Sequence, residues 1–391
     1  MINKTKVVSI ALFLLAFIMA FSFGGQKVKW KGKIEEENGI KVIKNPRDPL
    51  YGEIKFELEE DLSIGKEDDE NFLFYKIADI QVDKDGNIYV VDFGNNRIQQ
   101  FDFKGNYLQT IGREGEGPGE FVGPLRILFD KKTGNIYVRD GLRSIKIFDK
   151  HGNYLRAIRL EYFPTDFELN EDGNILGICR ILSRIPSGIQ SHSSVFVKLN
   201  SEGKIEKKIA KYPYYLSRGA GFSISHGHEY NSFMTKIDDQ TFIYGYSKEY
   251  ELNVVDKEGN LLYKIKKDEP KRKIPSEEKH RIEREAMANG FPIQAVKVKY
   301  PPFIPFIYAI YTDSAERIYI QRNQGKRTGQ GPKEFDIFSK DGYCLYNTTF
   351  PYPAVLIKDG YFYTRVVNED TGEEFVKRFR IKNWKQIKEG I

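Results

Sequence analysis

The segment that decides the fold runs from Ile80-Gln-Val-Asp-Lys-Asp-Gly-Asn-Ile-Tyr-Val-Val-Asp92 through Phe93-Gly-Asn-Asn-Arg-Ile-Gln-Gln-Phe-Asp102 to Phe103-Lys-Gly-Asn-Tyr-Leu-Gln-Thr-Ile-Gly112. Alternating apolar residues such as Ile88, Val90 and Ile98 mark strand faces. Asp85-Gly86-Asn87 and Lys104-Gly105-Asn106 supply the positive-φ positions that tight hairpins need. The segment reads as strand, turn, strand, loop, strand, turn, strand, which is one four-stranded propeller blade.

The unit recurs at once. Ile127 to Phe129, Gly134-Asn-Ile-Tyr-Val138, Ile145 to Asp149 and Gly152-Asn-Tyr-Leu155 repeat it nearly position for position. Weaker copies of the first hairpin fall at Glu171-Asp-Gly-Asn174, Asp238-Asp-Gln240, Ser314-Ala-Glu-Arg317 and Lys358-Asp-Gly360. Second hairpins follow at His151-Gly152, Glu202-Gly203, Glu258-Gly259 and Asp341-Gly342. The expectation is an all-β, six-bladed β-propeller of four-stranded antiparallel blades. The chain ends before the last blade gains its outer strand, and Phe56 to Ile64 is expected to supply it.

Two features now carry a family resemblance. Val91-Asp-Phe-Gly-Asn-Asn-Arg-Ile-Gln-Gln-Phe-Asp102 followed by Gly112-Arg-Glu-Gly-Glu-Gly-Pro-Gly-Glu-Phe121 resembles the NHL repeat, and Gly329-Gln-Gly-Pro-Lys-Glu-Phe335 echoes it. The chain is also similar to secreted bacterial six-bladed propellers that have no assigned activity. The resemblance implies structural duty between neighbouring strands for Asp92 and Arg97. Relatives of this type include protein-binding sensor domains, RNA-binding modules and a metal-using amidating lyase, so the fold does not select the function.

Lys4 and Lys6 precede an uncharged, mostly apolar run from Val7 to Phe23 that ends in small residues, the layout of a secretory signal peptide. Residues 1–24 are therefore expected to be a signal peptide or an uncleaved anchor, and 25–391 one propeller domain, periplasmic or extracellular. Removing the two lysines lowers the net charge from +6 to +4, with no clustered basic face, which argues against a nucleic-acid partner. A monomer is expected, touching a membrane only through an uncleaved N-terminus. The two cysteines, Cys179 and Cys344, read as buried thiols on separate blades.

Ile274 to Gly290 breaks the strand pattern and reads as a helical insertion between blades four and five, with Ser276 as N-cap and Gly290 closing it. The aromatic and proline-rich run to Phe306 is expected to form a rim or lid. Arg180 to Ser194 and Tyr212 to Tyr230 read as long excursions. Loops of this kind make Tyr214, Tyr215, Phe222, Tyr230, Phe303 and Phe306 candidates for a contact surface.

The candidate metal ligands are His226 and His228, spaced for one face of an extended segment, and Asp83, Asp130 and Asp166 near the innermost strands. Zn²⁺ or Ca²⁺ are the ions such groups would take, although Asp83 and Asp130 also stand where turns begin. No nucleophile elbow or zincin helix is present. Two functions stay open: a binding module for a protein, peptide or small ligand, and a metal-assisted hydrolase or lyase at the channel mouth.

Overall fold

A computed structural model describes residues 29–66, 68–184, 190–214, 217–219, 222–224, 229–288, 300–325 and 331–391. From Gly32 onward they form one compact unit, an all-β propeller of six blades. The innermost strands are Ile77–Val82, Pro124–Phe129, Phe163–Leu169, Ser232–Lys236, Ile307–Thr312 and Leu356–Lys358, and each pairs antiparallel with the next strand of its blade. Each innermost strand runs the same way along the axis. The first hairpins therefore gather on one face, and the loops between second and third strands gather on the other, here called the loop face.

The hairpin signals act through carboxylates and amides. Asp83 Oδ1 accepts from the backbone N–H of Asp85 and of Asn87, each at 2.9 Å, while Oδ2 accepts from Asn87 Nδ2 at 2.9 Å. Asp102, Asp149 and Asp256 repeat the pattern in their own hairpins. Bonding of the side chain to the backbone N–H groups two and four residues on fixes the turn before any tertiary contact forms.

Each blade is apolar on both faces, so stability comes from the seams. Six buried clusters fill them: Ile98 with Ile127 between blades one and two, Ile147 with Phe167 between two and three, and Phe196 with Phe242 between three and four. Val254 meets Ile318 between four and five, Phe335 meets Phe362 between five and six, and Tyr363 meets Val90 between six and one.

The N-terminal segment visits three blades in turn. Asn38 and Gly39, at φ 53° and 79°, turn the hairpin Lys33–Glu37 and Ile40–Asn45, whose second strand adds in parallel to Leu261–Lys267 of blade four. This extension makes blade four six-stranded and had no counterpart in the sequence reading. The chain then crosses blade five, where Leu50 and Tyr51 donate to the carbonyls of Cys344 and Leu345 at 2.8 Å each. It finishes as Leu58–Ile64, antiparallel to Glu374–Ile381, as the outer strand of blade six.

Two expectations need correction. The stretch from Arg180 to Ser194 is mostly not loop, because Ile175–Arg184 and Gln190–Leu199 stay paired out to Arg184↔Gln190; ladder bonds continue past the length the sequence suggested. The helix spans Ser276–Ala288 and begins with Lys279 N–H bonding the Pro275 carbonyl at 3.2 Å, so Ser276 lies inside the first turn rather than capping it. Gly290 is outside the described residues. Ile304 N–H donates to the Arg272 carbonyl (2.7 Å) and Phe306 N–H to that of Ser247 (2.8 Å), fastening the proline-rich run to the loop face of blade four.

Cys179 and Cys344 are free and buried, on blades three and five. Burial pushes the Cys179 thiol up to about 12 and raises Cys344 as well. Iodoacetamide at about pH 8 should leave both unlabelled in the native protein and label both in denaturant, because the thiolate is the nucleophile. Native labelling detected by intact mass would contradict this burial.

Candidate functional site

The innermost strands enclose a cavity of about 520 Å³ on the axis. Three of its charged residues come from equivalent positions. In blades one, two and three the innermost strand skips a register at Ala78, Leu125 and Thr165, so Asp79, Arg126 and Asp166 each follow a bulge. Bulges re-aim side chains, and here they bring those three onto the axis with Glu168, Arg139 and Lys236. Blades five and six give the opposite wall, which is mainly apolar: Ile310, Tyr311, Val355, Leu356 and Ile357.

Arg126 is the hub. It bonds Asp166 through Nη1 and Glu168 Oε1 through Nη2, the latter at 2.5 Å, with its side chain a quarter exposed. Burial opposes its charge, but Asp166, Glu168 and Asp79 outweigh burial and hold its pKa above the ordinary value. Burial in turn raises the carboxyl pKa of Asp79, Asp166 and Glu168, with Arg126 offsetting part of the effect on each. Asp79 also accepts from the backbone N–H of Ile127 at 3.1 Å, tying blade one to blade two.

Nearer the loop face stand two arginines of different standing. Arg139 Nη1 donates to the carbonyls of Pro164 and Thr165, at 2.7 and 2.8 Å, and burial lowers its pKa. Arg180 lies 4.2 Å above the Tyr214 ring. Both guanidiniums also face the Phe163 ring, at 5.8 and 5.7 Å. Among the described residues neither has a carboxylate oxygen within 4.0 Å, and the Nε of each is buried without an acceptor.

The residues singled out from sequence disperse. Asp83 sits in its hairpin, its oxygens bonded to Asp85, Asn87 and Tyr89. Asp130 likewise holds Lys132 N–H and Thr133 Oγ1. Asp166 alone of the three lines the cavity, where it and Glu168 are both paired with the guanidinium of Arg126. His226, His228 and Tyr215 lie outside the described residues, and Phe222 is placed only as the start of the short strand Phe222–Ile224.

Tyr230 is buried and its hydroxyl donates to the Phe303 carbonyl at 3.1 Å. Phe306 stacks on Tyr250 at 6.1 Å. Tyr230 and Phe303 are thus brought together, while Tyr214 joins the Arg180 group. Asp92 and Arg97 pair at 2.9 Å, and Arg97 also holds the carbonyls of Glu70 and Leu73 at 2.7 Å each. Sequence reading missed Asp79, Arg126, Arg139 and Glu168. The 47-residue step from Asp79 to Arg126, matching the repeat, was the signal available.

Three of the exposed apolar side chains lie elsewhere on the loop face. Tyr75 and Val122 are each 54 % exposed and Leu142 71 %. They form a ridge. A Cβ on Gly94 would meet the Tyr75 ring at 2.2 Å, one on Gly123 the Phe93 ring at 3.3 Å, and one on Gly141 a Val122 methyl at 3.1 Å.

These strands, seams and axial cavity define a six-bladed β-propeller. The chain belongs to the family described as domain of unknown function DUF4934, whose profile matches residues 67–349. A candidate exported protein of Bacteroides fragilis shares the fold, at 14 % identity and a TM-score of 0.55, covering 87 % of this chain and 99 % of that one. Virginiamycin B lyase of Staphylococcus aureus aligns at a TM-score of 0.42 and 10 % identity, covering 83 % and 99 %. The brain tumor protein of Drosophila melanogaster is 26 % identical over 115 residues, 28 % of this chain and 11 % of that protein. No helix among the described residues is long and apolar enough to cross a membrane.

Proposed function

We propose that the chain is an exported, NHL-type binding module, and that its ligand is a protein or peptide segment lying along the ridge Tyr75, Phe93, Val122 and Leu142. The ridge carries the reading, because Tyr75, Val122 and Leu142, each more than half exposed and joined by the partly buried Phe93, are the kind of apolar surface an interface buries. Lys76, its ammonium 4.8 Å from the Tyr75 ring centre, and the exposed Arg143 bracket it. That charge favours a partner whose apolar residues are flanked by acidic ones. Export rests on the N-terminal segment, and the Bacteroides fragilis neighbour is itself described as a candidate exported protein.

One observation favours a second reading as a hydrolase or lyase: three carboxyls with raised pKa converge in a cavity, an arrangement suited to general acid–base work. The two readings separate cleanly. Peptide display against the purified protein should select sequences with paired apolar and acidic residues. Val122→Ser combined with Leu142→Ser should weaken those peptides by about tenfold or more while leaving the melting temperature nearly unchanged, since the side chains are exposed. Selected peptides that bind the double variant as well as the parent would remove the ridge from consideration.

A further inference from the structure

We infer that the loop-face mouth of the axial cavity is a binding site for a small amphiphilic oxyanion, whose charged head sits on Arg139 and Arg180 and whose apolar body lies against blades five and six. The site is separate from the ridge and does not depend on it.

The inference begins with unanswered charge. Arg126 is paired with two carboxylates, but Arg139 is hydrogen-bonded only to two peptide carbonyls, with Asp166 and Asp79 acting on it through space, and Arg180 is set against aromatic rings. A guanidinium drawn out of water toward neutral acceptors keeps most of its charge unneutralised, which is costly unless an anion arrives. Two such groups face one phenyl ring, Phe163, so their mutual repulsion is also relieved by a shared anion. The buried Nε of each lacks an acceptor among the described residues, and Arg139 bonds through Nη1 alone, which leaves its Nη2 to meet an anion.

The chemistry of the head group follows from the donor. A planar guanidinium presents paired N–H groups that match a carboxylate or a phosphoryl oxygen pair. The body of the ligand follows from the opposite wall. Tyr311, Val355 and Leu356 offer partly exposed apolar surface, backed by the buried Ile310 and Ile357, across a cavity of about 520 Å³, room for a chain or ring of several carbons. Thr165 and Thr235 line the same space and give neutral hydroxyls between the two halves.

The test uses three probes on the mature chain in isothermal titration calorimetry: hexanoate, inorganic phosphate and hexanol. Hexanoate is expected to bind, hexanol to bind much more weakly, and phosphate to fall between or below. Arg139→Met should weaken hexanoate by about tenfold to a hundredfold, the worth of a charge-assisted hydrogen-bonded pair. Arg180→Met provides a second variant should the first fold poorly, and Arg139→Lys should recover only part of the loss, because an ammonium lacks the fork. Phosphate binding as tightly as hexanoate would overturn the amphiphilic assignment. Absence of binding by both anions up to about 10 mM, or hexanoate affinity unchanged in both methionine variants, would overturn the site itself.

Discussion

Arg317→Ala is expected to destabilise the protein by about 3–5 kcal/mol, the cost of leaving one partner of a buried ion pair alone. Arg317 is 1 % exposed, and its Nε lies 2.7 Å from Asp313 Oδ2. Its Nη1 donates to the Ile387 carbonyl at 2.8 Å, and the guanidinium sits 4.1 Å from the Trp384 ring centre. Removing it leaves the Asp313 carboxylate, whose side chain is fully buried, with only the backbone N–H groups of Ala315 and Arg317 and the Tyr319 hydroxyl. It also frees the C-terminal turn Trp384–Gln386 from blade five. Chemical denaturation measures the first effect and limited proteolysis at the C-terminus the second. Pairing Arg317→Met with Asp313→Asn should restore much of the loss, since no bare charge remains. A single variant as stable as the parent would mean that Asp313 finds solvent.

Opening the ring should cost as much or more. A chain that begins at Lys66 lacks Leu58–Ile64 and exposes the edge of Glu374–Ile381 along the six paired positions from Val376↔Ile64 to Ile381↔Leu58. It also strips Asp61 from Arg378, a fork of 2.9 and 3.1 Å on a side chain 4 % exposed. Arg378 further donates to the Phe103 carbonyl at 2.8 Å and lies 3.9 Å from that ring centre, so it couples blade six to blade one. Arg378→Ala alone should cost about 3 kcal/mol, the low end for such a pair because Asp61 keeps some solvent. The truncated chain should melt broadly and aggregate, as an unpaired edge does. A sharp, parent-like transition from the truncated chain would show that the closing strand is dispensable.

How much of this was legible depended on where each signal lies along the chain. The blades were, because a hairpin is local: Asp85-Gly86-Asn87 and its copies carry their own turn chemistry, and six such turns fix a propeller. The axial site was not. Asp79, Arg126 and Asp166 stand 47 and 40 residues apart, each unremarkable in its own strand, and meet only because a bulge in three blades turns them inward. Two of the three carboxylates that did draw notice, Asp83 and Asp130, are turn residues, since the same side chain that binds a cation also binds the N–H and O–H groups of a turn. The hairpin at Asn38-Gly39 was readable in principle, as Asn-Gly is a strong turn signal, but its partner strand lies more than 200 residues away.

That distance has a consequence for the order of events in synthesis. The residues that fasten the outside of blades four, five and six are the first part of this unit to leave the ribosome, yet their partners follow more than 200 residues later; Asp61 waits 317 residues for Arg378. Blades one to three can take up their local hairpins as they emerge, whereas the early segment must wait for blades four, five and six in turn. Closure of the ring thus waits for blade six, and a ribosome stalled within blade five would hold a nascent chain whose strand Leu58–Ile64 is still available to other partners.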